Sequence, residues 1–388
     1  MKFNFDHPIN RRGTSCVKWD VADRDFQGTD LLPMWIADMD FATAPAITEE
    51  MHKRVEEGVF GYGMLPDAYY DAVIRWMRRR HGCEVQQDWI SYTAGVVTAL
   101  NYAVQTITEP GDEIMVHTPV YHPFFSAIEE QGRVLVRSPL KEEDLHYTMD
   151  FEDMERRISA KTKAVLFCSP HNPVGRVWTR GELEQLADFC KRHDLYLICD
   201  EIHNDLVFKK HTMILTVDEA LAQRTILCTA PSKTFNIAGV QVSNTIIPNE
   251  DIRQKFKDLL TKAHIASAHA MAAPALIGAY DGSEDWLEEL LVYLEGNMDL
   301  FCETIARELP MLRVRKPEGT YLTWVDCSGL GLDAEELKRF MVDRCGLALS
   351  SGIVFGEEGA QFMRVNLACP RSTVEECLRR LKKGCLGE

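Results

Sequence analysis

The stretch Thr229–Gly239 contains a lysine in a setting that suits covalent chemistry. From Thr225 to Pro248 the sequence is apolar or small and polar, and Lys233 is the one residue in that span with a formal charge. A lysine that is partly removed from water has a lowered pKa, and its neutral amine is a nucleophile. A lysine that merely lies at the edge of a buried segment would explain the pattern as well. A catalytic role for Lys233 therefore needs evidence from elsewhere in the chain.

Three further polar features follow apolar runs. Asp200 comes directly after LYLIC, Asn172 lies in the turn SPHNPVG after KAVLFC, and Gly95 interrupts SYTAGVVTAL where a strand would pass into a helix. The first N–H groups of such a helix can bind phosphate. Taken alone, the aspartate is better explained as a helix cap, and Asn-Pro is a common start of a turn.

Together, these features suit pyridoxal phosphate. The lysine would form a Schiff base, the aspartate would keep the pyridine nitrogen protonated, and the helix N-terminus would bind the phosphate. The chain contains neither GxGxxG nor GxxxxGK[ST], which disfavours a nicotinamide cofactor or a nucleoside triphosphate.

The elements that must position these residues alternate along the middle of the chain. Short β-rich runs are separated by amphipathic segments such as Gly181–Asp194, which predicts a mainly parallel sheet with helices on both faces. In such sheets, ligands bind beyond the carboxyl ends of the strands. The β-rich runs are Glu113–Tyr121, Lys163–Pro170, Tyr196–Glu201 and Thr225–Lys233.

The sequence pattern predicts an α/β fold with two domains. We expect a large domain over residues 46–283 and a smaller α+β domain formed by residues 1–45 together with residues 284–388. A long helical pattern from Glu284 to about Leu309 links the two domains. The last helix is expected to begin with a capping box formed by Ser372 and Glu375.

Charge and composition disfavour several classes of partner. The chain has 388 residues and a formal net charge of −16, which disfavours binding to nucleic acid or to anionic lipid. The most apolar later stretch, Ala263–Tyr280, is a poor membrane span. Twelve cysteines without CxxC spacing favour buried thiols in a reducing cytoplasm over disulfides or a metal site.

With these motifs in place, the chain resembles the class I/II aminotransferase family of fold-type I pyridoxal-phosphate enzymes nearly from end to end. SPHNPVG, CDEIH, APSKTFN and MRVNLA occur in that family's order and spacing. Within the family it most resembles the MalY/PatB-type cystathionine β-lyase (C–S lyase) branch. The segments that carry this second resemblance are Lys18–Asp20, Met34–Phe41, Phe60–Gly63, Tyr121–Phe125 and Asp200–Asp205.

The resemblance implies roles for the residues around the cofactor. Lys233 would bond to the cofactor and later move the substrate Cα proton, while Asp200 would pair with the pyridine nitrogen. Asn172 would contact the phenolate oxygen, where His203 replaces the tyrosine of most aminotransferases, and Tyr121 would stack on the ring. The groups implied for the phosphate are Gly95, Val96, Val97, Ser232 and Tyr62 of the partner subunit, which implies a homodimer.

The resemblance also implies the substrate contacts and the reaction. Arg364 would bind the substrate carboxylate, with Ala37 and Asn172 beside it, and Lys233, Tyr121 and Tyr62 would be the catalytic residues. Many family members carry an arginine eight residues after the lysine, but Gln241 stands there in this chain. The implied reaction converts L-cystathionine or a related S-substituted cysteine to a thiol, pyruvate and ammonia. An aminotransferase with the same cofactor, and a regulatory protein with residual lyase activity that binds a protein partner, remain open alternatives.

Overall fold

The computed structural model describes residues 2–387. Its strands, in chain order, are β1 (Leu32–Pro33), β2 (Ile90–Thr93), β3 (Glu113–Thr118), β4 (Val134–Pro139), β5 (Lys141–Glu143), β6 (His146–Thr148), β7 (Thr162–Cys168), β8 (Tyr196–Asp200), β9 (Thr225–Thr229), β10 (Ser243–Ile246), β11 (Arg313–Val314), β12 (Leu322–Asp326), β13 (Leu347–Ala348), β14 (Ser350–Ser351) and β15 (Phe362–Asn366). Its α-helices are α1 (Val17–Asp20), α2 (Ala22–Asp25), α3 (Pro45–Glu56), α4 (Asp67–His81), α5 (Val96–Ile107), α6 (Pro123–Glu129), α7 (Phe151–Arg157), α8 (Arg180–Arg192), α9 (Glu219–Ala222), α10 (Pro231–Thr234), α11 (Glu250–Lys262), α12 (Ala272–Gly282), α13 (Glu284–Glu308), α14 (Ala334–Asp343) and α15 (Arg371–Leu386).

A seven-stranded sheet forms the centre of the molecule. Its strand order is β2-β10-β9-β8-β7-β3-β4, and β10 pairs antiparallel with both of its neighbours. The remaining pairs, from β9 through to β4, are parallel. The prediction of a mainly parallel sheet flanked by helices is therefore confirmed.

The sheet separates two apolar cores, which explains why its strands read as nearly unbroken apolar runs. Along β7, Ala164 and Leu166 pack into one core, whereas Val165 and Phe167 pack into the other. Successive side chains of a strand point to opposite faces, so a sheet that is covered on both faces needs apolar residues at consecutive positions. The carboxyl ends of these strands consequently carry the first polar groups.

A second sheet of four antiparallel strands, in the order β11-β12-β15-β14, lies in the C-terminal part of the chain. The N-terminal segment joins this part, because β1 pairs in parallel with β13. The long helix α13 connects the two sheets in sequence. The domain limits at residues 46–283, and at 1–45 with 284–388, stay a prediction.

One helix start differs from the sequence prediction. Helix α15 begins at Arg371 after Pro370, and its first turn is closed by the N–H of Thr373 donating to the Pro370 carbonyl at 2.8 Å. No side chain caps this end, so the capping box predicted for Ser372 and Glu375 is wrong. Pro370 occupies the N-cap position with extended backbone, φ −51° and ψ 145°, so Ser372 is the second residue of the helix rather than the residue before it.

Within residues 2–387, the chain has no helix whose length and apolar character would let it cross a membrane. The cysteines of the central strands, Cys168, Cys199 and Cys228, are free thiols and are buried in the core. The cytoplasmic location stays a prediction.

Candidate active site

The predicted site residues converge on one cavity at the carboxyl edge of the seven-stranded sheet. Asp200 ends β8, Asn172 follows β7, and Lys233 lies in α10 directly after β9. The cavity has a volume of about 240 Å³. The predicted residues that line it are Ala37, Gly95, Val96, Val97, Tyr121, Asn172, Asp200, His203, Ser232 and Lys233.

Lys233 lies against the backbone of the N-terminal segment. Its Nζ donates a hydrogen bond to the Ala37 carbonyl at 2.6 Å. Burial lowers the pKa of Lys233 to about 8, assisted by the positive charge of Arg364, while the charges of Asp38 and Asp200 oppose the shift. A sizeable fraction of the amine is therefore neutral near physiological pH, which a nucleophile and a general base both require.

Asp200 is a buried carboxylate that lines the cavity. Its Oδ1 accepts a hydrogen bond from the backbone N–H of Ile202 at 3.1 Å, which fixes the side chain. Burial raises the pKa of Asp200 to about 7 against the opposing effects of that hydrogen bond and of Lys233. A cationic N–H group next to this carboxylate would lower its pKa again, so the position suits a protonated ring nitrogen.

Arg364, on β15 of the smaller sheet, is not among the residues that line the cavity, but it contacts Asn172, which lines it. Its Nη1 donates to Asn172 Oδ1 at 3.1 Å, and its Nη2 donates to the Trp35 carbonyl at 2.7 Å and to Ser350 Oγ at 3.1 Å. The guanidinium carbon lies 4.8 Å from the centre of the Phe355 ring.

The buried charge of Arg364 lacks an acidic partner. Across residues 2–387, no carboxylate lies within salt-bridge distance of its guanidinium, and its Nε has no hydrogen-bond partner. Burial lowers the pKa of Arg364 to about 10, which still leaves it charged at neutral pH. Because a buried cation without a counterion is costly, the arrangement suits a carboxylate ligand, which guanidinium binds with two parallel hydrogen bonds.

His203 and Tyr121 form further parts of the wall. His203 is buried with its Nδ1 unpaired among the described residues, and its ring meets Tyr321 edge-on at 5.9 Å between centroids. Burial, followed by the charges of Lys233 and Arg364, lowers the pKa of His203 to about 3, so the imidazole is neutral. Burial also raises the pKa of Tyr121. The stacking role of Tyr121 and the phenolate contact of His203 stay predictions.

The N-terminus of α5 opens into the cavity and suits a phosphate group. Gly95 precedes this helix with φ of 97°, a left-handed conformation that glycine adopts readily, and no side chain caps the helix among the described residues. The first N–H groups of a helix lack intrahelical acceptors, so those of Val96, Val97 and Thr98 are available to an anion. Gln241 also lines this cavity, so neutral donors and the helix end would have to balance the phosphate charge.

Tyr62 does not line the cavity of its own chain. Its side chain is fully exposed, and Val59, Phe60 and Met64 in the same segment are exposed too. The predicted role of Tyr62 at the phosphate therefore depends on a second subunit.

Sequence reasoning did not assign a role to two buried residues near Lys233. Tyr321 donates its hydroxyl hydrogen to the Ala37 carbonyl at 3.0 Å, so it shares this acceptor with Lys233. Asp205 accepts from Thr234 Oγ1 at 3.0 Å, directly beside Lys233 in the chain. The segment DEIHND contains Asp205, but the role of Asp205 is visible only from its contacts with residues that are distant in the sequence.

Asp205 ties helix α4 to the short helix α10, which carries Lys233. It accepts from Trp76 Nε1 at 3.2 Å, and it lies 2.9 Å from His81 Nε2 and 3.3 Å from Arg80 Nε. Burial acts to raise the pKa of Asp205, but the hydrogen bond and charge of His81, the charge of Arg80 and the bond from Thr234 lower it below its usual value. The carboxylate therefore stabilises the fold in its charged form.

Replacing Asp205 with asparagine is expected to lower the free energy of unfolding by roughly 2 kcal/mol at pH 7, because it removes the buried charge that faces Arg80 and His81 and leaves Arg80 only its more exposed partners Glu284 and Glu288. Since folding depresses the pKa of Asp205, its contribution is present above the ordinary pKa of about 4 and is lost as the pH falls through the folded value. Urea unfolding at pH 7 and at lower pH would measure both effects.

The matched control is Asp188→Asn, which removes an exposed carboxylate paired with Lys191. Exposed pairs contribute at most about 1 kcal/mol, so this variant should stay close to the parent protein. An Asp205→Asn variant as stable as the Asp188→Asn variant would contradict the assigned role.

Comparison with known proteins places this fold and site in a family. Residues 29–381 match the model of aminotransferase class I and II, and the chain belongs to this family.

The chain is 42% identical over 382 residues to cystathionine β-lyase PatB of Bacillus subtilis (strain 168), which covers 98% of this chain and 99% of that protein. It is 35% identical over 378 residues to Protein MalY of Escherichia coli (strain K12), which covers 96% of each. The structure of cystalysin from Treponema denticola, which contains a pyridoxal 5'-phosphate cofactor, superposes with a TM-score of 0.96 at 38% identity over 100% of both chains. These similarities confirm the predicted MalY/PatB branch.

Proposed function

We propose that the protein is a pyridoxal-phosphate-dependent C–S β-lyase that cleaves L-cystathionine or a related S-substituted cysteine to a thiol, pyruvate and ammonia. The observation that carries the proposal is that Lys233 and Asp200 line one cavity, with Arg364 bonded to Asn172 in the cavity wall. The similarity of the whole chain to a cystathionine β-lyase supports the same reaction.

The cavity residues fit the cofactor group by group. Lys233 would supply the amine for covalent attachment, Asp200 would pair with the ring nitrogen, and Asn172 with neutral His203 would hold the ring oxygen. Ser232 and the N-terminus of α5 would hold the phosphate. When bound, the cofactor supplies an electron sink for the electron pair left on the substrate Cα after deprotonation.

The chain's own residues bind the substrate and move its proton. The Arg364 guanidinium takes the α-carboxylate, and its bond to Asn172 fixes the plane of the guanidinium. Lys233 removes the Cα proton, and the Ala37 carbonyl holds the amine nearby. The thiolate then leaves from Cβ, and water converts the remaining unsaturated amine to pyruvate and ammonia.

An assay with L-cystathionine, in the presence and absence of a 2-oxo acid, tests the reaction. We expect equal amounts of free thiol and pyruvate without the oxo acid. L-Alanine, which has no thiolate to lose, should give no pyruvate under those conditions. A strict requirement for the oxo acid would instead identify an aminotransferase, the second function that the family description favours.

We infer that the active protein is a homodimer in which Tyr62 completes the site of the partner subunit. The exposed apolar segment around Tyr62 supports this, since Val59, Phe60 and Met64 are each more than half exposed on the described chain. A cluster of exposed apolar side chains is typical of an interface, and most interfaces between identical chains are two-fold symmetric.

Mixing two inactive variants tests the shared site. Tyr62→Ala should weaken cofactor binding, and Lys233→Ala should be inactive. In a mixed dimer, the subunit that carries Tyr62→Ala keeps Lys233 and receives an intact tyrosine from its partner, so one of the two sites is complete. Random mixing should restore roughly a quarter of the parent activity at limiting cofactor. Mixed dimers that form but stay inactive would contradict the shared site.

A further inference from the structure

The N-terminal segment makes a tight turn over Lys233. The N–H of Asp38 donates to the Ile36 carbonyl at 2.9 Å, which closes a three-residue turn around Ala37. Asn366, buried on β15, donates from Nδ2 to the carbonyls of Ile36 and Asp38, each at 2.6 Å. The turn is thereby fixed from both sides, and it presents the Ala37 carbonyl to the amine of Lys233.

Two cations pair with the carboxylate of Asp38, which ends this turn, and with that of Asp40, two residues further on. Arg11 donates to both oxygens of Asp38, at 3.1 and 2.7 Å, and to Asp40 Oδ1 at 2.7 Å. Lys18, which is buried, lies 2.8 Å from Asp40 Oδ2 and 3.5 Å from Asp38 Oδ1. The Asp40 side chain is 5% exposed and that of Asp38 is 20% exposed. The Asp38 carboxylate is therefore held one residue after the carbonyl that contacts Lys233.

The charged groups that face Lys233 act in opposite directions on its pKa. Burial and Arg364 lower this pKa, while Asp38 and Asp200 raise it, and Asp38 has the larger effect of the two. His203 in the same wall is neutral at physiological pH. Asp38 also acts on Tyr321, whose pKa burial raises first and the Asp38 charge raises further. Both donors to the Ala37 carbonyl thus lie in the field of one carboxylate.

We propose that Asp38 is a positioning residue for Lys233: the turn Ile36–Asp38 holds the amine at the Ala37 carbonyl, and the Asp38 carboxylate stabilises the amine while it carries a proton. The inference rests on the proposed function, in which Lys233 is the catalytic amine. During turnover, Asp38 would retain the proton on Lys233 after its removal from Cα. Asp200 would be free to act on the cofactor ring, because the Asp38 carboxylate would stabilise the protonated amine of Lys233 in its place.

The test removes the cofactor from the full chain, adds pyridoxal phosphate back and follows the return of the visible absorption band. The rate of this recovery reports the neutral fraction of Lys233. Asp38→Asn removes the negative charge, so the midpoint of the pH–rate profile should fall by about half a pH unit. At pH 7 the variant should then load the cofactor about threefold faster than the parent protein. A turn that was merely loosened would admit water, and the midpoint would rise toward the ordinary lysine value.

Arg11→Gln is the opposing variant, because it removes the cation that pairs with Asp38. Its midpoint should rise while the limiting rate at high pH, where the amine is fully neutral, stays at the parent value. A loosened turn would change that limiting rate as well, so this variant keeps the inference testable if Asp38→Asn does not fold. The inference would be overturned by an unchanged or raised midpoint in folded Asp38→Asn. It would also be overturned by an unchanged or lowered midpoint in Arg11→Gln. Either result would leave the proposed function standing. The absence of any visible band in the parent protein would overturn the proposed function, and this inference with it.

Discussion

Replacing Lys233 with alanine is expected to abolish the visible absorption band of the holoprotein and to lower kcat/KM by about 10⁴-fold or more. In the proposed function, the amine that lies 2.6 Å from the Ala37 carbonyl is both the nucleophile that bonds to the cofactor and the base for the Cα proton. Its loss removes both functions at once. Absorption spectra and steady-state thiol release would measure the two effects.

The matched control for this variant is Lys210→Ala, which removes an exposed lysine outside the cavity. This control should keep its band and its turnover. A small primary amine in the assay should restore a fraction of the Lys233→Ala activity, because it supplies the missing base. A visible band that persists in Lys233→Ala would show that another group binds the cofactor.

Replacing Asp200 with asparagine is expected to lower kcat by roughly 10²–10⁴-fold while the protein keeps its visible band. Asparagine has the same shape and can still accept the hydrogen bond from the Ile202 N–H, but it carries no charge. A neutral partner does not keep a ring nitrogen protonated, so the electron pair left on Cα is stabilised less. Since that charge develops in the transition state, kcat should change far more than KM.

Steady-state kinetics of Asp200→Asn, beside the exposed control Asp194→Asn, would test this assignment. The Asp194 side chain is 89% exposed and pairs with Arg224 at the surface. Its replacement should leave kcat unchanged. A kcat within a few-fold of the parent value in Asp200→Asn would separate Asp200 from the chemistry, whatever its position in the cavity.

The sequence was sufficient to predict the central sheet and the polar groups at its carboxyl edge. A strand that is buried on both faces must be apolar along its length, so the first polar residue after each run marks the edge of the sheet. Asp200 and Lys233 were found in this way, and the structure places both in the cavity. The same local reasoning failed at Ser372, because Pro370 determines where α15 begins.

The sequence by itself therefore determined the family, the sheet and the groups available for catalysis. Only the tertiary structure showed that Lys233 shares the Ala37 carbonyl with Tyr321, that Asp205 joins helix α4 to helix α10, and that the charge of Asp38 acts on the pKa of Lys233. Strand periodicity is a local property of the chain, whereas Lys233 and Ala37 are 196 residues apart. Contacts over such separations, and the pKa values that depend on them, exist only once the two sheets have packed together.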